Sequence, residues 1–183
     1  MSRSAAPPLA RVRSRWRDAE AAGWARSATD PDFGERIYTS RLLGAEPALV
    51  LCGGGNTSVK STVRDLFGER RPVLWIKGSG ADLAQVSAAS FTAIDLGGAR
   101  RLLELSALSD IELLRELRLL RLDPDAPTPS CEALLHAFLP ARFIDHSHAD
   151  SALAVLDSRH GSRLAEEIWG EDHLIVPYLS LIH

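Results

Sequence analysis

The stretch "ALVLCGGGNTSVK", residues 48–60, joins an aliphatic run to three glycines and then to an asparagine, a threonine and a serine. The aliphatic run at 48–53 is stopped by glycine, which predicts a short buried β-strand. Glycines at a strand end let backbone N–H groups approach a ligand, and Asn56, Thr57 and Ser58 add side-chain donors. The spacing matches neither the P-loop nor the Gly-x-Gly-x-x-Gly dinucleotide pattern. A tight turn and a phosphate cradle therefore both remain open.

A second stretch, "PVLWIKGSGADL" at residues 72–83, has the same character. Its apolar run at 72–78 predicts another buried strand, and the small residues Ser79 and Gly80 follow. Two small-residue loops at strand ends predict a shared anion site. Lys77, at the end of this strand, is interpreted as an anion contact or a solvated side chain.

The pair His146 and His148 lies in "RFIDHSHAD", residues 142–150, which predicts a strand. Alternate residues of a strand point to the same face, so the two imidazoles can bind one cation such as zinc. A His-x-His pair also occurs by chance, so the spacing alone does not decide. Glu132 follows Ser130 at the start of a predicted helix. It is a candidate metal ligand or general base, or an acidic residue favoured by the helix dipole.

Composition and charge limit the class of protein. The 183 residues are 45% hydrophobic, enough for one sizeable core, and the net charge is -3 without a block of like charge. We therefore expect neither nucleic acid nor a membrane as partner, and a cytoplasmic location. The number and spacing of the two cysteines, Cys52 and Cys131, do not suggest a disulfide, so we interpret both as reduced packing residues. Residues 1–15 are interpreted as a flexible segment and residues 16–183 as one domain.

The remaining pattern alternates helices with strands. A helix at 32–43 is predicted to begin with Asp32 as its N-cap and Glu35 completing a capping box, and a Ser-Asp cap opens the next at 109–122. Further predicted helices cover 129–141, 149–156 and 162–169, and a last strand is predicted at 173–179. This order indicates an α/β or α+β domain in which helices cover a sheet.

Four motifs in order resemble the class II aldolase/adducin family. They are "GGNTS" at 54–58, "IKGSGADL" at 76–83, "PSCEALLHAFLP" at 129–140 and "FIDHSHADSALAV" at 143–155. The resemblance extends over roughly residues 30–178, and it is greatest to the aldolase portion of bifunctional rhamnulose-1-phosphate aldolase/alcohol dehydrogenase-type proteins. It implies a three-layer α/β/α fold with a central sheet covered by helices.

The resemblance also implies a site and a reaction. Zn2+ or another divalent metal would be bound by His146 and His148 with Glu132, and Glu132 would move the proton. The substrate would be a ketose 1-phosphate such as rhamnulose 1-phosphate, cleaved to dihydroxyacetone phosphate and an aldehyde. Cys131 replaces a hydroxyl of the family's Ser-Ser-Glu motif. The residues implied to bind the substrate phosphate are Gly55, Asn56, Ser58, Ser79, Gly80 and Ser130.

One departure from the family pattern affects the expected activity. Family members take a third metal histidine from well downstream of the His-x-His pair, and this chain stops at His183. We therefore expect a chain truncated at its C-terminus, and a homo-oligomer if the chain is complete. Two alternatives stay open: a non-catalytic, adducin-like remnant, and a sugar-phosphate epimerase or dehydratase on the same scaffold.

Overall fold

A computed structural model describes residues 13–176 of the chain. Four strands form one sheet: β1 (Asn56–Arg64), β2 (Arg70–Lys77), β3 (Phe91–Asp95) and β4 (Phe143–His146). Around it lie helices α1 (Asp18–Ser27), α2 (Pro31–Gly44), α3 (Leu96–Arg101), α4 (Asp110–Leu119), α5 (Ala133–Phe138), α6 (Asp150–Leu156) and α7 (Gly161–Trp169). Short 3-10 helices cover Leu83–Gln85, Ala88–Ser90 and Leu102–Glu104. Across residues 13–176, no helix combines the length and the apolar character that a membrane span requires.

The sheet is antiparallel, with strand order β3-β2-β1-β4. Alternating side chains of β2 point to opposite faces of the sheet, so this strand contributes to two cores. One core includes Leu74 and Ile76 of β2 and the helices α3, α4 and α5. The other includes Val59 of β1 and Phe33 of α2. Helices therefore cover both faces of the sheet, and the predicted α/β fold with a helix-covered central sheet is confirmed.

Different sets of buried residues form the two cores. The buried residues of the first core are Leu74, Ile76, Ile94, Leu96, Ala99, Leu117, Ala133 and Ala137. Those of the second core are Phe33, Ile37, Val50, Val59, Leu83, Val86 and Phe91. Phe33 stacks on Trp75 with ring centroids 4.1 Å apart and meets Phe91 edge to face at 5.4 Å, which joins α2 to the middle of the sheet.

The strand predicted at 48–53 is wrong. Turn hydrogen bonds run from the N–H groups of Leu49 and Val50 to the Glu46 carbonyl, so this segment is a loop. Val50 is buried in the second core although it lies outside any strand, whereas Leu51 is 61% exposed. An aliphatic run filling a core from a loop has the same composition as a buried strand. The strand instead begins at Asn56, so the glycine loop precedes β1 rather than ending a strand.

The first predicted helix exists, but its cap is different. Asp30, not Asp32, is the N-cap of α2, and its carboxylate accepts from the Asp32 N–H at 3.0 Å. Pro31 at the first helical position favours this start because its missing N–H needs no partner. The predicted cap of α4 is confirmed, since the Ser109 hydroxyl and Glu112 form a capping box. Helix α1 was not predicted.

The C-terminal half follows the prediction in part. The predicted strand at 142–150 is present only as β4, the predicted helix at 129–141 is shortened to α5, and α6 and α7 are confirmed. The strand predicted at 173–179 is wrong for residues 173–176, which form no strand, and residues 177–179 lie outside the described part. Most of the predicted flexible segment, residues 1–12, also lies outside it.

Candidate active site

The two predicted glycine loops lie against each other. A Cβ atom added at Gly53 would lie 3.5 Å from the Gly80 carbonyl oxygen, so the loop before β1 touches the loop after β2. The second loop also meets the segment before α5, because the Ser79 N–H donates to the Thr128 carbonyl at 3.0 Å. Segments far apart in the sequence therefore converge at one place, as a shared site requires.

The register between β1 and β4 brings Asn56 and His146 together, next to Glu132. Asn56, the first residue of β1, lies opposite His146, the last residue of β4. Glu132, immediately before α5, places its carboxylate between them. Its Oε2 atom accepts from Asn56 Nδ2 at 2.9 Å and lies 3.1 Å from His146 Nδ1. The Ser130 hydroxyl lies 3.4 Å from the same oxygen.

The environment of Glu132 keeps its carboxyl group ionised. The hydrogen bond from His146 lowers the pKa to about 2, and the bond from Asn56 adds to this against partial burial, which acts in the opposite direction. A carboxylate at such a low pKa is charged at neutral pH, and it is a weak base as long as these donors remain. In a neutral His146 that donates to Glu132 from Nδ1, Nε2 is the ring nitrogen with a free lone pair.

The two histidines are neighbours, although not both on the strand. β4 ends at His146, and His148 lies beyond it, where its backbone N–H donates to the Leu49 carbonyl at 2.9 Å. The ring centroids are 4.9 Å apart. A Cβ atom added at Gly54 would lie 3.1 Å from His148 Nδ1, so the glycine loop makes room for this ring.

The donor types here suit a borderline cation, but their number is incomplete. Neutral imidazole nitrogens are ordinary zinc ligands, and a zinc site normally has at least three protein ligands. Within residues 13–176, no group of three or more His, Cys, Asp and Glu side chains is arranged to hold a metal ion. The described residues therefore supply an imidazole pair, and the predicted site of His146, His148 and Glu132 stays a prediction.

Lys77 connects the two loops. Its side chain is buried, and Nζ donates to the Ala81 carbonyl at 2.8 Å and lies 3.5 Å from the Gly53 carbonyl. Burial lowers the pKa of this ammonium, while the charges of Glu132 and Asp82 raise it. The interpretation as a solvated side chain is therefore wrong. A sequence signal for this burial was present, since Lys77 lies inside the apolar run 72–78 that predicts a buried strand.

The six residues implied to bind phosphate fall into two groups. Ser79 and Gly80 are exposed, and Gly55 and Ser130 are partly exposed. The side chains of Asn56 and Ser58 are buried and hydrogen-bonded inside the protein.

His136 is the buried partner of Ser58, with Nδ1 2.8 Å from the hydroxyl oxygen. Burial lowers its pKa to about 4, so the imidazole is neutral at physiological pH. In the sequence, nothing around His136 distinguishes a buried histidine from one on the surface of a short helix.

A large cavity lies away from these groups. It has a volume of about 840 Å³ and is formed by α6, α7 and residues 172–176, with Ile168, Trp169 and Leu174 among its lining residues. None of its lining residues belongs to the groups described above. Titratable groups and convergent donors therefore mark the candidate site, and cavity size does not.

Comparisons with known proteins agree on one family. Residues 35–178 match the model of the class II aldolase and adducin N-terminal domain. The structure superposes on that of the N-terminal class II aldolase domain of a conserved protein from Thermoplasma acidophilum with a TM-score of 0.76. That pair shares 37% sequence identity over 87% of this chain and 71% of the other.

A curated relative is much longer than this chain. The uncharacterized oxidoreductase YuxG of Bacillus subtilis (strain 168) is 39% identical over 145 residues, which is 79% of this chain and 21% of the relative. The chain thus spans about a fifth of that protein. Because the family model covers most of the chain, the chain belongs to the class II aldolase and adducin N-terminal domain family.

Proposed function

We propose that this chain is a metal-dependent aldolase-type domain that cleaves a ketose 1-phosphate, such as rhamnulose 1-phosphate, to dihydroxyacetone phosphate and an aldehyde. The observation that carries the proposal is the contact between the Glu132 carboxylate and His146 Nδ1, beside two glycine loops. Domains of this family are typically metal-dependent. The match to a fifth of a protein named as an oxidoreductase supports a relationship to bifunctional aldolase/dehydrogenase proteins.

In this proposal the loops bind the substrate phosphate. The hydroxyls of Ser79 and Ser130 and the backbone at Gly55 and Gly80 lie on neighbouring, at least partly exposed segments. Small side chains let phosphate oxygens approach backbone N–H groups closely. The buried ammonium of Lys77 adds positive charge between the loops, which favours an anion there.

His146 and His148 would hold Zn2+ or another divalent metal, with further ligands in addition to these two. A bound ion supplies Lewis acidity toward the substrate oxygens. When the carbon–carbon bond breaks, its electron pair stays with the phosphate-bearing fragment, which gains a proton and becomes dihydroxyacetone phosphate. The hydroxyl of the departing fragment loses a proton and becomes the aldehyde. Glu132 is the group that moves the proton.

The test incubates the zinc-loaded chain with rhamnulose 1-phosphate. Dihydroxyacetone phosphate is measured by its reduction with NADH and glycerol-3-phosphate dehydrogenase. We expect product release, reduced about 10²- to 10⁴-fold in Glu132→Gln, as for loss of a group that transfers a proton. Glu167→Gln, on the exposed face of α7, is the matched control and should not change the rate.

Other outcomes point to the alternatives. An epimer or a dehydrated product would contradict the aldolase assignment and favour an epimerase or dehydratase. Zinc binding without turnover of this or other ketose phosphates would contradict catalysis and favour a non-catalytic, adducin-like role.

A further inference from the structure

The hairpin between β1 and β2 exposes two large apolar side chains at its tip, residues 65–69. Leu66 is 101% exposed and Phe67 is 90% exposed. The Asp65 carboxylate accepts from the N–H groups of Phe67 and Glu69, each at 2.9 Å, which fixes the turn that carries both side chains. Because the turn is already ordered, a partner that binds these side chains loses little conformational entropy in doing so.

The cavity formed by α6, α7 and residues 172–176, the α6–α7 cavity, is an apolar counterpart to the hairpin tip. Its volume of about 840 Å³ is in the range of sites that hold a drug-sized ligand, so the side chains of a leucine and a phenylalanine fit within it. Ile168 and Leu174 line it and are exposed to water. Contact between the tip and the cavity would remove both apolar surfaces from water, which is favourable.

The charges around the two surfaces are complementary. Residues 64–71, at the tip, carry three arginines and two carboxylates, whereas residues 150–176, around the cavity, carry six carboxylates and two arginines. Asp157 and Asp172 are among the residues that line the cavity. Opposite charges around an apolar contact favour one partner and one orientation over others. An anionic membrane is a poorer partner for the tip, because a carboxylate lies on each side of the apolar pair.

The tip does not fill the cavity of its own chain, since both of its apolar side chains are exposed. It follows Arg64, the last residue of β1, whereas β4 leads into α6 from His146, which lies opposite Asn56 at the start of β1. The nine residues of β1 separate these two ends by about 27 Å of extended strand. A contact between the two surfaces therefore needs a second chain.

We infer that the hairpin tip of one chain inserts Leu66 and Phe67 into the α6–α7 cavity of a second copy. Two different surfaces meet in this contact, so it is head-to-tail, and its repetition gives a ring if the rotation between copies closes. Neither surface contains a residue of the candidate active site, and the inference does not depend on the proposed function.

Sedimentation velocity of the full chain over a range of concentrations measures the assembly. We expect the unaltered chain to self-associate, and Phe67→Ser to raise the dissociation constant by about 30-fold or more, as for loss of an apolar anchor. Ile111→Ser removes an 82% exposed apolar side chain from α4 and is the matched control, which should leave the association unchanged. Both substitutions are at exposed positions, and circular dichroism checks that the fold is retained.

A mixture of two variants tests the head-to-tail geometry. Ile168→Asp places a charge in the cavity and keeps the tip intact, whereas Phe67→Ser keeps the cavity intact. Each variant alone should be monomeric at concentrations where the unaltered chain associates. An equimolar mixture of the two should form a dimer, because one intact tip then meets one intact cavity.

The inference is overturned by an unaltered chain that stays monomeric at every concentration, or by a mixture of the two variants that does not associate. Association that survives Phe67→Ser but is lost in Ile168→Asp would also overturn it, since another segment would then fill the cavity. Cosedimentation of the unaltered chain with phosphatidylserine vesicles, lost in Phe67→Ser, would overturn it in favour of a membrane. Turnover is not measured in any of these experiments, so a failure of the proposed function is distinguishable.

Discussion

Acidification should destabilise this domain through one buried histidine, His136. The side chain is 1% exposed, and its Nδ1 lies 2.8 Å from the Ser58 hydroxyl. Burial lowers the pKa of the imidazole to about 4, against the opposing effect of the Glu132 charge. In the unfolded chain the pKa returns to about 6.5, so the unfolded state takes up the proton first. The stability contributed by neutral His136 is complete above about pH 6.5 and is lost as the pH falls toward 4.

The magnitude follows from the two pKa values. At pH 5, proton uptake by the unfolded chain lowers the free energy of unfolding by about 2 kcal/mol, compared with about 0.2 kcal/mol at pH 7. Glu132 does not contribute in this interval. Its pKa is lowered to about 2, so its stabilising effect is lost only below the unfolded value of about 4.5. The variant His136→Gln keeps a hydrogen-bonding group near Ser58 and cannot titrate.

Urea unfolding followed by tryptophan fluorescence and circular dichroism at pH 7 and pH 5 measures the effect. The unaltered chain should lose about 2 kcal/mol more than His136→Gln between these pH values. His160→Gln, which removes an exposed histidine, should behave like the unaltered chain. Equal losses in the unaltered chain and His136→Gln would refute the reasoning, because no buried neutral imidazole would then be resisting protonation.

Three further substitutions test the packing around the site. Arg36→Met should lower the free energy of unfolding by about 2 to 4 kcal/mol in urea titrations, because the buried guanidinium donates to the Ser58 and Ile144 carbonyls and pairs with Asp145. Arg163→Met removes one partner of an exposed pair and should cost under about 1 kcal/mol. Equal losses in the two variants would contradict the role of the buried guanidinium. Gly55→Ala should cost about 2 to 5 kcal/mol, because Gly55 has a φ of +67° and a Cβ atom would lie 2.4 Å from Val50 Cγ2. Gly68→Ala also has a positive φ, of +82°, but open space around it, and should cost only about 1 to 2 kcal/mol; a Gly55→Ala as mild as this control would disprove the clash. Asp30→Ala should lower the thermal stability by about 1 kcal/mol through loss of the α2 cap, and a larger effect from Asp32→Ala would restore Asp32 as the cap.

The fold could be predicted from the sequence where apolar patterns and caps agree. The run at 72–78 and the Ser109 cap each gave the correct element, since nothing in the tertiary structure opposes their local preference. The run at 48–53 failed because Val50 reaches the core from a loop, and burial alone does not specify backbone conformation. Asn56, Thr57 and Ser58 were interpreted as loop residues because they follow an aliphatic run and three glycines.

Their burial depends on partners that the sequence does not reveal. The Thr57 hydroxyl meets Ser40 of α2 at 2.7 Å, and the other two side chains meet groups on the opposite face of the sheet. The neighbourhood of Glu132, His146 and the two glycine loops was predictable, because the four motifs share a family pattern. The contact of Asn56 with one carboxylate oxygen of Glu132 and the carbonyl partners of the Lys77 ammonium could not be predicted. Both are set by side-chain geometry across elements that are distant in the chain.

The pairing of Asn56 with His146 limits how the chain can change in length. β4 has four residues and pairs with β1 along one side, and a shift of one residue would exchange His146 with Asp145 between the faces of the sheet. The connection from α5 is held by Lys60 Nζ, which donates to the Leu139 and Ala141 carbonyls. These acceptors are backbone atoms, so side chains in the connection are free to vary. A single-residue insertion or deletion there would dismantle the site while leaving every site residue in the sequence.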